Sequence, residues 1–154
     1  MKLRRTTEVV TTDNGDDMNE SPLAKKMKLK PGAHAAVLNA PENYLKELKH
    51  DSEISQKLSG KFDWIQVFAK NKKELASLAP KAVSALKPDS ILWLSFPKGT
   101  SKLQTDLTRD KGWEVLQGLD LKFITLVSVN EMWSAFALRP YKEGEAKQSF
   151  QLGA

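Results

Sequence analysis

Three stretches of the chain are apolar at almost every position: HAAVL at residues 34–38, FDWIQVFA at 62–69 and the ILWLSF run within residues 89–96. Such runs predict strands covered on both faces, as in a parallel sheet, because a strand wetted on one side would alternate instead. Between the second and third runs, Leu75, Leu78, Ala79, Ala82, Val83 and Leu86 recur at helical spacing and predict one buried stripe. Asn71, with Glu74 three residues later, predicts the start of that helix. Pro80 removes a backbone donor and predicts a kink near Ala76, and Lys87-Pro88-Asp89 predicts the stop.

Beyond the third strand, Pro97, Lys98, Gly99, Thr100, Ser101 and Lys102 form a polar loop. A helix is expected next, capped at Ser101, Thr105 or Thr108, weakened by Gly112 and ending near Gly118. Residues 121–129 and 132–138 then predict two strands joined by a turn at Asn130-Glu131, pairing antiparallel at the sheet edge. Upstream, Ser21-Pro22 predicts a short helix, with Ser as cap and Pro where its missing N–H costs nothing. Leu23 and Met27, four apart, would pin it to the body, and Lys30-Pro31-Gly32 is a turn. Residues 42–48 read as another short helix. Residues 49–61 hold only Ile54 and Leu58 as aliphatic anchors, which leaves a weak strand or an irregular loop.

This alternation of strands and helices predicts a three-layer, Rossmann-like, mostly parallel α/β sheet ending in an antiparallel hairpin. It spans one domain, residues 21–140. Residues 1–20 are polar and aperiodic and read as a disordered tail, with Met18 as an alternative start. Residues 141–154 read as a flexible C-terminal tail.

Composition narrows the chemistry. Of 154 residues, 40% are hydrophobic, enough for a real core. There is no cysteine, which excludes disulfides, thiolate metal sites and cysteine nucleophiles. His34 and His50 are the two histidines, too few for a histidine-based metal site, and His34 is expected to be structural. No apolar run approaches the roughly 20 residues of a membrane span, and the basic start lacks a secretory signal's apolar core; the expectation is a cytoplasmic protein. The net charge of +5 is dispersed: residues 1–30 carry 7 Lys/Arg against 5 Asp/Glu, residues 31–140 carry 15 against 12, and residues 141–154 carry 2 against 2. A nucleic-acid binder concentrates its charge on one face, so no nucleic-acid partner is expected.

From Lys61 onward, FDWIQVF, a helix, LKPDSILWLS, another helix and a closing hairpin resemble the second half of a class I methyltransferase. Those enzymes commonly carry a double glycine in the turn before the fifth strand; here Leu86-Lys87-Pro88-Asp89-Ser90 has none. Their glycine-rich cofactor loop is likewise replaced by Asn39-Ala40-Pro41-Glu42. Residues 41–61 are too few for the helix–strand–helix–strand that would supply a ribose-binding acid. The resemblance implies a methyltransferase-like sheet with its cofactor half shortened. Residues 21–140 also resemble the bacterial family called domain of unknown function 3052. The resemblance rests on SPLAKK at 21–26, KPG at 30–32, VLNAPENY at 37–44, LKPDSILWLSFPK at 86–98, TDLT at 105–108 and NEMWSAFAL at 130–138. It implies a compact cytoplasmic α/β protein and no particular activity.

Ligand sites in open α/β sheets form beyond the carboxyl ends of the strands. The candidate binding residues are therefore Asn39, Glu42, Lys70, Ser95, Lys98, Thr100, Ser101 and Lys102. Lysines beside a helix N-terminus suit a small anionic metabolite. Trp133, beside the hairpin turn, marks a candidate surface for a protein partner, whereas Trp64, Trp93 and Trp113 are expected in packing. Asp106, Asp110 and Glu114 are spaced for one helical face, read as a solvated charged surface rather than a metal site. No Gly-x-Ser-x-Gly, Walker loop or zinc motif is present, and no cofactor is expected. The leading expectation is a non-catalytic binding domain. The alternative is a minimal transferase or hydrolase, a degenerate methyltransferase-like enzyme, using Ser95, Lys98 and Asp106.

Overall fold

The computed structural model describes residues 21–48, 54–99 and 105–146. In chain order these form α1 (Pro22–Lys26), β1 (Ala35–Leu38), α2 (Tyr44–Leu48), β2 (Ile54–Ser55), β3 (Phe62–Phe68), α3 (Lys72–Ser84), β4 (Leu86–Pro97), a 3-10 turn (Trp113–Leu116), β5 (Leu121–Ser128) and β6 (Trp133–Pro140). The six strands make one sheet in the order β2-β1-β3-β4-β6-β5. β2, β1, β3 and β4 run parallel, while β6 lies antiparallel between β4 and β5. The expected mostly parallel sheet with a closing hairpin is the architecture found.

The unbroken apolar runs are explained by two cores, one on each face. Ile65, Val67, Leu92, Leu94 and Phe96 face α3 and the 3-10 turn, with Trp113 and Phe136. Trp64, Phe68, Trp93 and Trp133 face α1 and α2, with Tyr44 and Met27. Alternate residues of one strand thus serve opposite cores, and a one-residue slip would exchange them.

Helix α1 begins as expected. Ser21 Oγ accepts from Ala24 N at 3.0 Å and donates to the Leu48 carbonyl, tying α1 to α2. Its C-terminal end is held by an arrangement the sequence does not reveal. The Met27 carbonyl accepts from both Trp64 Nε1, at 2.7 Å, and Trp93 Nε1, at 3.0 Å. Two buried indoles and one helix-end carbonyl thereby satisfy one another, and α1 is fixed across β3 and β4.

The structure corrects some of these expectations and refines others. Helix α3 ends at Ser84, ahead of Lys87-Pro88-Asp89 as expected, but that tripeptide already belongs to β4, which opens at Leu86 opposite Phe62. The register shifts between Phe62 and Trp64, and Pro88 lies exposed in this irregular stretch, where its missing N–H breaks no ladder. Pro80 does not end α3, which continues to Ser84 with Pro80 on its exposed side. The helix expected to end near Gly118 is absent among the described residues, and only Trp113–Leu116 is helical there. Thr105 Oγ1 and Thr108 Oγ1 accept from Leu107 N and Asp110 N, two residues on, and such local bonds compete with a helix. Gly112 adopts φ +100°, and an added Cβ would lie 2.8 Å from Leu107 Cδ1 and 2.9 Å from the Asp106 carbonyl oxygen. Asp106, Asp110 and Glu114 therefore share no helical face. Of residues 49–61, Ile54–Ser55 pairs in parallel with β1, which is the weak-strand alternative; with α2 it makes one helix–strand unit between β1 and β3, short of the two a full methyltransferase half would hold. Finally, the start of the expected C-terminal tail is anchored: Glu145 bonds Arg139 Nη1 and Nη2 and Lys122 Nζ. Residues 1–20, with the proposed start at Met18, and residues 147–154 lie outside the described residues.

Candidate functional site

The exits of β1, β3 and β4 lie on one edge, joined by the turn from β5 into β6 because Pro97 pairs with Trp133. Chain order reverses direction between β1 and β3: β2 lies to one side and β4 to the other. This is the topological switch point, where an open α/β sheet would place a ligand.

Asn39 occupies that crevice. It leaves β1 with φ +60°, and its Nδ2 donates to the Phe68 carbonyl at 2.8 Å and to Glu74 Oε1 at 3.1 Å. The same Glu74 oxygen accepts from Lys70 N at 2.8 Å. Asn71 caps α3 through Glu74 N, also at 2.8 Å. The exits of β1 and β3 and the first turn of α3 are thus laced together by short polar bonds. Asp106 adds to this end of α3, accepting from Lys72 N at 2.8 Å, and Thr105 Oγ1 donates to the Lys70 carbonyl. Lys72 pairs with Glu114, which raises the lysine and lowers the carboxyl from their ordinary values.

The other candidates are dispersed. Ser95 is buried, and its Oγ accepts from Gln66 Nε2 at 2.9 Å; Gln66 Oε1 accepts from the Tyr44 hydroxyl at 2.7 Å. This chain crosses the core facing α2. Burial pushes the Tyr44 phenol well above its usual range, against the opposing effect of the Gln66 bond. Lys98 turns toward the hairpin: its N–H donates to the Met132 carbonyl and its Nζ to Ser128 Oγ at 2.6 Å. Ser95, Lys98 and Asp106 therefore each engage a different partner. Thr100, Ser101 and Lys102 lie outside the described residues.

Glu42 borders an open space. A cavity of about 450 Å³ is lined by Pro41, Glu42, Tyr44, Glu47, Asn130, Glu131, Met132 and Trp133. It lies between the loop into α2 and the hairpin turn. Tyr44 and Trp133 both contact Phe68 edge-to-face, at 4.6 and 5.0 Å. Asn130 shapes the turn: its Oδ1 accepts from Met132 N and Trp133 N, and its Nδ2 donates to Glu47 Oε1 at 3.3 Å. Sequence reasoning selected Glu42 separately from Trp133 with its neighbour Glu131, and missed Glu47 and the meeting of the two groups. Their only signal was the topology that returns β6 to the strand-exit edge. Among the described residues no group of His, Cys, Asp or Glu side chains could hold a metal ion, and no helix is long and apolar enough to cross a membrane.

No protein-family model matches the chain, and no curated protein matches it. Solved structures do. The ribosomal protein L11 methylase from Lactobacillus delbrueckii subsp. bulgaricus superposes with a TM-score of 0.53 at 16% identity, over 87% of this chain and 85% of that one. The B. subtilis M1A22 tRNA methyltransferase TrmK gives 0.50 at 13% identity, over 79% and 66%. A LepI complex with SAM gives 0.48 at 10%, over 77% of this chain but 39% of that one, so this chain spans well under half its length. The fold is thus the Rossmann-like fold of the methyltransferases.

That fold implies S-adenosylmethionine, and the residues at the switch point do not fit it. The loop leaving β1 has no glycine, the Asn39 side chain is bonded across the crevice, and β2 runs into Ser55-Gln56-Lys57 with no carboxylate for a ribose.

Proposed function

We propose that this chain is a non-catalytic, methyltransferase-fold binding domain that takes a small ligand at its strand-exit edge. The observation that carries this reading is Asn39: its side chain spans the gap between β1 and β3, where a nucleoside cofactor would sit. The cavity between α2 and the hairpin turn supplies a binding space displaced from that crevice. Its volume lies within the roughly 300–1,000 Å³ typical of small-molecule sites. The sequence motifs favour membership of domain of unknown function 3052, and a cytoplasmic setting accords with that resemblance.

The anionic metabolite expected beside Lys98 finds less support, because Lys98 Nζ is bonded to Ser128 and the cavity lining holds three glutamates. The degenerate-enzyme reading has the fold in its favour, but its three candidates bond to Gln66, Ser128 and Lys72 rather than to one another. Calorimetric titration with S-adenosylmethionine tests the proposal. No heat of binding is expected. One-to-one micromolar binding, lost when the loop at residues 39–42 is altered, would refute it.

A further inference from the structure

Four tryptophans are buried, and three share a pattern. The indole N–H groups of Trp64 and Trp93 donate to the Met27 carbonyl, and that of Trp113 to the Thr108 carbonyl. Trp133 departs from it. Although only 6% exposed, its indole N–H donates to no group among the described residues, and its side chain lines the cavity. A buried indole donor without a partner is uncommon, since leaving it unmade costs about 1–3 kcal/mol.

The same cavity is strongly one-sided in charge. Glu42, Glu47 and Glu131 line it, and no lysine or arginine does. Among the described residues Glu42 and Glu131 take part in no ion pair. The remaining lining is Asn130 together with apolar or aromatic side chains: Pro41, Tyr44, the half-exposed Met132 and Trp133. Carboxylates beside aromatic and thioether surface suit a cation with a hydrocarbon body. A metal ion does not meet the description, because these carboxylates form no metal-binding group. The turn bonds of Asn130 hold the rim in place before any ligand arrives, which lowers the ordering cost of binding.

We propose that this cavity binds a small organic cation, a guanidinium or primary ammonium carried next to a neutral carbonyl. The cationic group meets Glu42 and Glu131, and the carbonyl accepts from Trp133 Nε1. The inference rests on the proposed binding role of the strand-exit edge and names its ligand class.

The test is argininamide, which has a guanidinium and a neutral amide carbonyl, titrated into the isotopically labelled full chain and followed by amide and indole N–H shifts. The expected result is saturable movement of the Trp133 indole resonance and of the backbone at Glu42 and residues 130–132, weakening as salt is added. The Glu42→Gln/Glu131→Gln double variant should weaken binding about tenfold or more. These side chains are exposed, so that variant should fold. Trp133→Phe, which keeps a ring but loses the donor, should weaken binding about three- to tenfold. Argininamide that moves no resonance at millimolar concentration, or binds the double variant as well as the parent, overturns the inference. A parallel titration with phosphate and dicarboxylates separates the two readings. If anions move the exit-edge resonances and argininamide does not, the binding domain stands and the cationic class falls; if neither does, both fall.

Discussion

The buried chain from Tyr44 through Gln66 to Ser95 should behave as one energetic unit. The three residues are 2%, 0% and 1% exposed, so none can exchange its protein partner for bulk water. Tyr44→Phe removes the donor to Gln66 Oε1 and leaves a buried amide oxygen unpaired, at a cost of about 1–3 kcal/mol. The Tyr44 hydroxyl's other neighbour, Met27 Sδ at 3.7 Å, offers little compensation to either side. Gln66→Leu orphans groups at both ends, the tyrosine hydroxyl and Ser95 Oγ, and should cost about 2–5 kcal/mol. The double variant removes one donor together with its acceptor. It should therefore be more stable than the sum of the singles predicts, with a coupling of about 1–2 kcal/mol. Equilibrium urea denaturation reads each value, provided the slope is unchanged. Against a total stability of about 5–15 kcal/mol, these shifts are easily resolved. If Tyr44→Phe costs under about 0.5 kcal/mol and the two substitutions add, the chain is not the structural unit described. Ser95 would then again be open to a role in chemistry.

Gly112→Ala should destabilise by about 2–4 kcal/mol in the same assay, combining a strained backbone with overpacking. The φ of +100° and the contacts to Leu107 and the Asp106 carbonyl are its cause, and a neutral outcome would mean that turn is loosely held. Ser21→Ala should cost about 1–2 kcal/mol, since it removes both an N-cap and the tie from α1 to α2. Arg139, then Lys122 and the Lys142 N–H, hold the Glu145 carboxyl well below the usual carboxylate range. With its native value depressed, its contribution is complete above the ordinary carboxylate range and is lost as pH falls toward the native value. A pH series of melting temperatures should show a shallower acid decline for Glu145→Gln than for the parent, and identical slopes would show that the pairing adds nothing.

Local sequence was sufficient wherever one segment decides its own state. The doubly apolar runs require burial on both faces, which only an inner strand of a layered sheet provides, so β1, β3 and most of β4 are legible. Ser21-Pro22 and Asn71 specify helix starts through bonds within one turn. Tertiary structure decided whatever depends on partners far along the chain. Leu86 became strand because Phe62, 24 positions earlier, supplies its neighbour. Asn39 and Ser95 read as ligand-binding candidates, yet their polar groups meet Phe68 and Gln66, distant in sequence and adjacent across the sheet. The cavity belongs to the same class. Glu42 and Glu131 are separated by most of the domain, and only the return of β6 beside β4 brings them to one edge. Charge and hydropathy fix which residues must be buried or wet, whereas which buried polar group answers which other is a property of the assembled sheet.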